Sequence, residues 1–205
     1  MISQETRELI EELKKVEGEC RGVSLQSPLE YVKLNYGEEI VNDVERELSE
    51  VGLPTRKDIK VLKMYPVGYM TIVHLIIKDV LSCDYSEIRK MGYSLPQLSF
   101  IVRTLSTYFI SPERTFKETP NYWKKHFTVG SLVPVEIDIE KKYLILRIEG
   151  YKTHPIDCVL FEGYFSRMIG YTLKAKNISG EEKKCIHNGE ECHEFLIKWS
   201  DEENN

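Results

Sequence analysis

The chain has 205 residues, 41% of them hydrophobic and 30% charged, and its formal net charge is −5 at pH 7. These values are typical of a soluble globular protein, and they disfavour a general nucleic-acid-binding surface because an acidic chain has no basic field to attract phosphate groups. The N-terminus lacks the basic region and apolar stretch of a signal peptide, and no apolar run approaches the roughly 20 residues that cross a bilayer. We therefore expect a cytoplasmic protein that forms a single domain over residues 1–205.

The first part of the chain, residues 1–127, is predicted to be mainly helical. Apolar residues recur at helical spacing over 9–16, and the sequence Ser27–Glu30 offers a capping hydroxyl, a proline and a glutamate at the spacing of a helix start. Residues 69–81 are almost wholly apolar, which predicts a helix buried on most sides. Asp84 and Glu87 form a second capping box, and Gly92 is expected to end that helix.

Two further short helices are predicted to begin at Ser111–Pro112 and at Thr119–Pro120, and the pattern then changes after Gly130. Residues 133–139 alternate between apolar and other side chains, as in a half-buried strand, and residues 143–149 predict its hairpin partner. A helix over about 155–170 follows. Beyond it, a second hairpin is predicted, with its turn at Asn188–Gly189. These elements indicate an α+β fold, in which the mainly helical part packs on an antiparallel sheet of about four strands from two hairpins.

Three of the five cysteines predict a metal site. An odd cysteine count without an export signal argues against a disulfide framework. Cys185 and Cys192 flank the predicted turn of the last hairpin, so their sulfurs can converge. Cys158 lies near a predicted helix start, where the helix dipole favours the thiolate that a metal requires. Three thiolates suit zinc, although a free cysteine is usually a small buried hydrophobe, as we expect of Cys20 and Cys83.

The residues alone leave the fourth ligand open. Glu182, His187 and His154 are the candidates, and imidazole is a common zinc ligand, which slightly favours a histidine. His193 is the weakest candidate, because adjacent strand residues point to opposite faces and Cys192 would direct it away from the metal.

A longer pattern extends from Gly163 to Trp199: a glycine in a helix, a strand, Cys185, a short loop with glycine, Cys192 and an apolar-aromatic strand. This pattern resembles the vinyl-reductase-type, or hydrocarbon-binding, small-molecule-binding domain of archaeal stand-alone proteins and aromatic-sensing bacterial regulators. The resemblance is close over roughly 130–199, which would be the part that binds ligand and zinc. It implies an α+β fold related to vesicle-tethering subunits and to haem-based nitric-oxide sensors, and a homodimer.

The resemblance also implies a structural zinc held by three cysteines and a glutamate three positions before the middle one. These positions fall here on Cys158, Glu182, Cys185 and Cys192. It does not imply haem, because no histidine stands in a context that matches a haem ligand.

A pocket for an apolar ligand requires aromatic and aliphatic walls with a few polar groups. The candidate pocket residues are His74, Phe100, Tyr108, Phe116, Tyr122 and Trp123. Their alternative role is the core, since aromatic residues at helical spacing are more often core than pocket, and a histidine in an apolar segment more often has its hydrogen bonds satisfied there.

The sequence thus favours non-catalytic binding or sensing of a small hydrophobic or aromatic molecule, with a zinc that braces the C-terminal hairpin. A dimeric scaffold or tethering protein is the alternative. A reductase-associated enzyme is less favoured, because the chain has no Gly-x-Gly-x-x-Gly fingerprint and no phosphate-binding loop. A zinc with four protein ligands would also lack the open position that catalysis requires.

Overall fold

The computed structural model describes residues 2–98, 111–173, 175 and 177–200. Within these ranges the chain forms eight α-helices and six strands, which confirms the predicted α+β class. The helices are α1 (Gln4–Leu13), α2 (Val23–Tyr36), α3 (Glu38–Glu50), α4 (Val67–Leu81), α5 (Tyr85–Leu98), α6 (Pro112–Lys117), α7 (Thr119–His126) and α8 (Pro155–Leu173). The strands are β1 (Glu19–Arg21), β2 (Met64–Pro66), β3 (Ser131–Asp138), β4 (Tyr143–Glu149), β5 (Asn177–Lys184) and β6 (His193–Ser200).

The four C-terminal strands form one antiparallel sheet in the order β3-β4-β6-β5, so both predicted hairpins are present and join through β4 and β6. Side chains alternate along β4, and Leu144, Leu146 and Ile148 are buried on one face. Phe195 and Ile197 of β6 are fully buried with them. This face packs against the helices, as the period-two pattern requires of a sheet with one buried side.

Helix starts follow the predicted capping residues at two places. Asp84 Oδ1 accepts a hydrogen bond from Glu87 N at 3.3 Å, and Ser111 Oγ accepts one from Arg114 N at 3.2 Å. Each oxygen satisfies a backbone N–H that the first helical turn leaves without a partner. The apolar segment after Val67 forms α4, and it is buried almost throughout its first three turns.

Two predicted boundaries are wrong. The Ser27–Pro28 pair does not start a helix, because α2 already begins at Val23 and includes the proline. Gly92 does not end α5, which continues to Leu98. The reason is tertiary contact: a Cβ atom on Gly92 would lie 2.1 Å from the carbonyl oxygen of Leu160 in α8. That glycine therefore serves close packing between two helices and not a helix stop.

The same contact has a second glycine on the facing helix. A Cβ atom on Gly163 would lie 2.0 Å from the carbonyl oxygen of Arg89. Helices α5 and α8 thus meet backbone to backbone at two points, which fixes their separation. In the described part of the chain, no helix is long and apolar enough to span a membrane.

Candidate functional site

An apolar cavity of about 130 Å³ lies between the helical part and the buried face of the sheet. Its walls come from α2, α4, α5, α6, α7, α8 and the first two strands of the large sheet. The residues that line it include Met70, His74, Leu95, Thr119, Tyr122, Trp123, His126, Phe127, Leu146, Leu160, Phe161 and Phe165. Such a mainly apolar wall with a few polar groups is typical of a small-molecule site.

The aromatic side of the cavity is built around Trp123. Its ring stacks on Phe127 with ring centroids 4.3 Å apart and lies 5.8 Å from Phe161, which in turn stacks on Phe165 at 5.5 Å. The indole N–H donates to the carbonyl oxygen of Val129 at 2.9 Å. Because that donor is already satisfied, Trp123 presents only its apolar ring to the cavity.

The polar side of the cavity is a buried hydrogen-bond network around Asp157, the third residue of α8. His74 Nδ1–H donates to Asp157 Oδ1 at 2.8 Å. Asp157 Oδ2 accepts from the hydroxyls of Thr71 and Thr153, each at 2.6 Å, and from Tyr151 at 3.3 Å. Burial alone would raise the pKa of Asp157, but the hydrogen bonds from His74, Thr153 and Thr71 and the nearby His74 ring hold that pKa below its ordinary value.

One nitrogen of this network has no partner. His74 is fully buried and lines the cavity, and its second ring nitrogen, Nε2, forms no hydrogen bond in the structure. The predicted alternative for His74, a satisfied core histidine, is therefore met at only one of its two nitrogens.

The structure places three of the six predicted pocket residues, His74, Tyr122 and Trp123, on the cavity wall. Phe116 is buried but is not among the wall residues. Phe100 and Tyr108 lie outside the described residues. Sequence reasoning missed the aromatic residues of α8 and the role of Asp157, which as an acidic residue in a first helical turn indicates only a favourable helix dipole.

A second cluster, the cysteine corner, lies at the other side of α8. It consists of Cys158, Glu182, Cys185 and His193, whose ligand-type atoms all lie within 4.8 Å of one another. The two sulfurs are 3.8 Å apart, Cys158 Sγ is 3.5 Å from His193 Nδ1, and that nitrogen is 2.7 Å from Glu182 Oε1. Helix α8, strand β5, the turn after it and strand β6 each supply one of these residues.

The corner differs from the predicted zinc site in one ligand. Cys192 is not part of the cluster, and His193, the histidine considered weakest, takes its place. The alternation rule itself holds, but its phase is reversed: His193 faces inward with 2% of its surface exposed, while Cys192 is only half-buried. His187 and His154, the other candidate ligands, also lie outside the cluster.

The protonation pattern of the corner follows from its neighbours. Burial, followed by the charge of Glu182 and the neighbouring Cys185, raises the pKa of the Cys158 thiol, so the expected lowering by the helix dipole is wrong for the metal-free chain. Burial also raises the pKa of Cys185. His193 Nε2–H donates to the carbonyl oxygen of Tyr151 at 3.0 Å, so Nδ1 is the ring nitrogen that faces the corner.

No protein-family model matches the chain, and no curated protein matches it. Solved structures do match. An H-NOX protein from S. oneidensis in the Fe(II)NO ligation state is 15% identical, with a TM-score of 0.66 over 88% of this chain and 99% of that one. An oxygen-binding H-NOX domain related to soluble guanylate cyclases is 13% identical, with a TM-score of 0.62 over 90% and 98% of the two chains. An H-NOX mutant from K. algicida is 13% identical, with a TM-score of 0.62 over 88% and 96%.

These likenesses show the fold, and they correct two expectations. The resemblance to the vinyl-reductase-type family is wrong, because the structures that share this fold over nearly their whole length are H-NOX proteins. The expected structural zinc is corrected as well: the three H-NOX structures hold Fe(II) or oxygen, and a further structure that shares this fold is of a heme protein. The sequence pattern misled because a cysteine–loop–cysteine hairpin, taken by itself, is not specific for one family.

Haem is the group that the fold implies, and the cavity does not fit it. His74 Nε2 is a suitable ligand atom for a haem iron, because metal-binding histidines usually give their other N–H to a carboxylate. However, about 130 Å³ is close to the volume that holds one small ring, whereas a porphyrin has four. The described wall also has no lysine or arginine to pair with two buried propionates. The contacts of Gly92 and Gly163 further prevent α5 and α8 from separating without breaking their packing.

Proposed function

We propose that the protein binds a small, mainly apolar molecule in the cavity between α4, α8 and the sheet, without transforming it. The observation that supports this proposal most strongly is the cavity itself, about 130 Å³ with apolar and aromatic walls. Apolar cavities of about 150 Å³ are known to take up benzene. A molecule about the size of one substituted ring is therefore the expected ligand.

Energetics favour an occupied cavity. An enclosed empty cavity costs roughly 24 cal/mol per Å³, so this space, which is partly open, lowers the free energy of unfolding by at most about 3 kcal/mol relative to a filled core. A ligand with good shape complementarity recovers part of that loss as binding free energy. The cavity also favours ligand binding over the scaffold alternative, for which a solid core would be expected.

The His74–Asp157 pair does not by itself make the cavity catalytic. In a serine-type site a hydroxyl donates to the second imidazole nitrogen, but in the described structure no hydroxyl lies within hydrogen-bonding distance of His74 Nε2. Thr119 Oγ1, a wall hydroxyl, donates to the carbonyl oxygen of Phe116 at 2.8 Å. Binding without chemistry accounts for this arrangement.

The test uses benzene as a probe and two variants with the same change. Benzene is expected to raise the Tm of the protein and to shift the NMR methyl signals of Leu146 and Leu160. Leu95→Phe places extra volume in the cavity and should abolish both effects. Leu34→Phe, at a position that is 66% exposed, should retain them. Unchanged spectra of the native chain at saturating benzene would contradict the proposal.

We also propose that the cysteine corner binds a divalent transition-metal ion. Two sulfurs, a nitrogen and a carboxylate oxygen converge within 4.8 Å, and two sulfurs on one tetrahedral ion lie roughly 3.8 Å apart. His193 Nδ1 lies 2.7 Å from Glu182 Oε1, a distance at which a proton joins the two atoms in the metal-free chain, and a bound metal ion would displace that proton.

Elemental analysis of the purified protein tests the corner and identifies the ion. One equivalent of metal is expected for the native chain. Cys185→Ser and His193→Ala should lose most of it, whereas Cys192→Ser and Cys83→Ser should keep it. Cobalt(II) added to the metal-free chain should give a sulfur-to-cobalt charge-transfer band. Equal metal content in Cys192→Ser and in His193→Ala would argue against this ligand set.

A further inference from the structure

The unpartnered nitrogen of His74 restricts which molecules suit the cavity. We infer that the ligand is a neutral molecule with one hydrogen-bond donor, a hydroxyl or an N–H, which it gives to His74 Nε2. This inference rests on the proposed ligand-binding function. It adds a chemical class and a specificity-determining residue to that function.

The network around Asp157 determines the direction of the hydrogen bond at His74 Nδ1. Three hydroxyls donate to Asp157 Oδ2, from Thr71, Thr153 and Tyr151, so this buried carboxyl group is held as a carboxylate. A carboxylate only accepts, and its other oxygen must receive the Nδ1–H of His74. In the imidazole tautomer with its one proton on Nδ1, Nε2 carries the lone pair, and this is the acceptor to which we assign the ligand's donor.

His74 Nε2 is isolated from the other polar groups in the described part of the chain. Among the buried side-chain nitrogen and oxygen atoms that the structure describes, Nε2 is the one on the cavity wall without a partner. The polar groups of Thr119 and Trp123 beside the cavity already donate to backbone carbonyls. A buried acceptor without a donor is unfavourable, and a ligand that supplies one donor at this point removes the penalty.

Charged ligands do not suit this cavity. A carboxylate would bring negative charge toward a lone pair within apolar walls, and a buried charge without a counter-ion is strongly disfavoured. An ammonium group would need a carboxylate of its own, whereas that of Asp157 already accepts four hydrogen bonds. A neutral ring with a single hydroxyl or N–H satisfies both the size of the cavity and its polarity.

Pyrrole and furan test this inference as a matched pair. Both are five-membered rings of nearly equal size, but pyrrole has an N–H donor where furan has an oxygen that can only accept. The native protein is expected to bind pyrrole about ten-fold more tightly than furan. In His74→Leu this preference should disappear. Leu34→Phe, at an exposed position away from the cavity wall, is the control and should keep the preference.

A measurement on the native chain keeps the test decisive if His74→Leu fails to fold. The ¹⁵N resonance of His74 Nε2 should shift on addition of pyrrole and remain unchanged with furan. If both probes bind but the ratio of their Kd values is the same in the native chain and in His74→Leu, the inference fails while the proposed function stands. If benzene, pyrrole and furan all fail to bind, the proposed function itself fails. A Soret absorption band that moves in His74→Leu would overturn the inference, because Nε2 would then bind a haem iron.

Discussion

The cavity and the cysteine corner lie on either side of two consecutive residues of one helix. Asp157 reaches toward α4 and organises the polar end of the cavity, while Cys158 reaches toward the hairpin of β5 and β6. Successive residues of an α-helix point about 100° apart, so adjacent positions serve different neighbours. The cavity has apolar walls and one unpartnered acceptor, whereas the corner has four converging ligand atoms. One turn of α8 therefore supplies residues to two chemically unrelated sites.

The largest expected effect is that of Asp157→Ala, which would disrupt the hydrogen-bond network at the polar end of the cavity. The change leaves the donors of His74, Thr71 and Thr153 buried without their acceptor. We expect the free energy of unfolding to fall by about 3–5 kcal/mol, as measured by urea denaturation. Asp43→Ala, at a partly exposed ion pair with Arg46, is the control and should cost less than about 1 kcal/mol. A similar loss in both variants would show that the buried network of Asp157 contributes no more to stability than a surface ion pair.

The next effect concerns the glycine contact between α5 and α8. Gly163→Ala places a Cβ atom 2.0 Å from a backbone carbonyl oxygen, so the helices must separate, at a cost of about 1–3 kcal/mol. Gly170→Ala is the matched control in the same helix, because its Cβ atom meets only the end of the Ile178 side chain. That variant should be neutral or slightly more stable, since alanine favours the helix. Equal destabilisation of the two variants in thermal unfolding would contradict the close-contact interpretation.

These contacts also show what the sequence can and cannot predict. Local patterns were sufficient for the two hairpins and for the buried helix α4, because apolar periodicity and capping residues act within a few positions. The predicted helix end at Gly92 is wrong because this glycine serves the packing of α5 against α8, almost 70 residues further along the chain. His74 and Asp157 are 83 residues apart, and no periodicity indicates that they form a pair. The exchange of His193 for Cys192 is a shift of one residue in strand phase, which a loop of uncertain shape leaves undetermined. The homodimer stays a prediction.

A smaller effect is the pH dependence of His126 on the cavity wall. Burial, together with the nearby charges of Arg21 and Lys125, lowers its pKa from 6.5 to about 4. Between these two values the unfolded chain binds more protons than the folded chain, so the stability that His126 contributes is complete above pH 6.5 and is lost as the pH falls toward 4. Urea denaturation at pH 7.5 and pH 5 should show a smaller pH effect in His126→Gln than in the native chain. An identical pH effect in both would exclude this histidine as the cause.

The smallest expected effect is that of Tyr151→Phe, which tests whether the cavity and the cysteine corner are independent of each other. Tyr151 contacts both: its hydroxyl donates to Asp157 at 3.3 Å, and its backbone carbonyl accepts from His193 at 3.0 Å. The substitution removes only the hydroxyl, and since that hydrogen bond is long and Asp157 keeps three other donors, unfolding should become easier by only about 0.5–1 kcal/mol. The metal content of the corner should not change, because the carbonyl that orients His193 remains. Metal loss in Tyr151→Phe would show instead that the cavity network and the corner form one coupled unit through this residue.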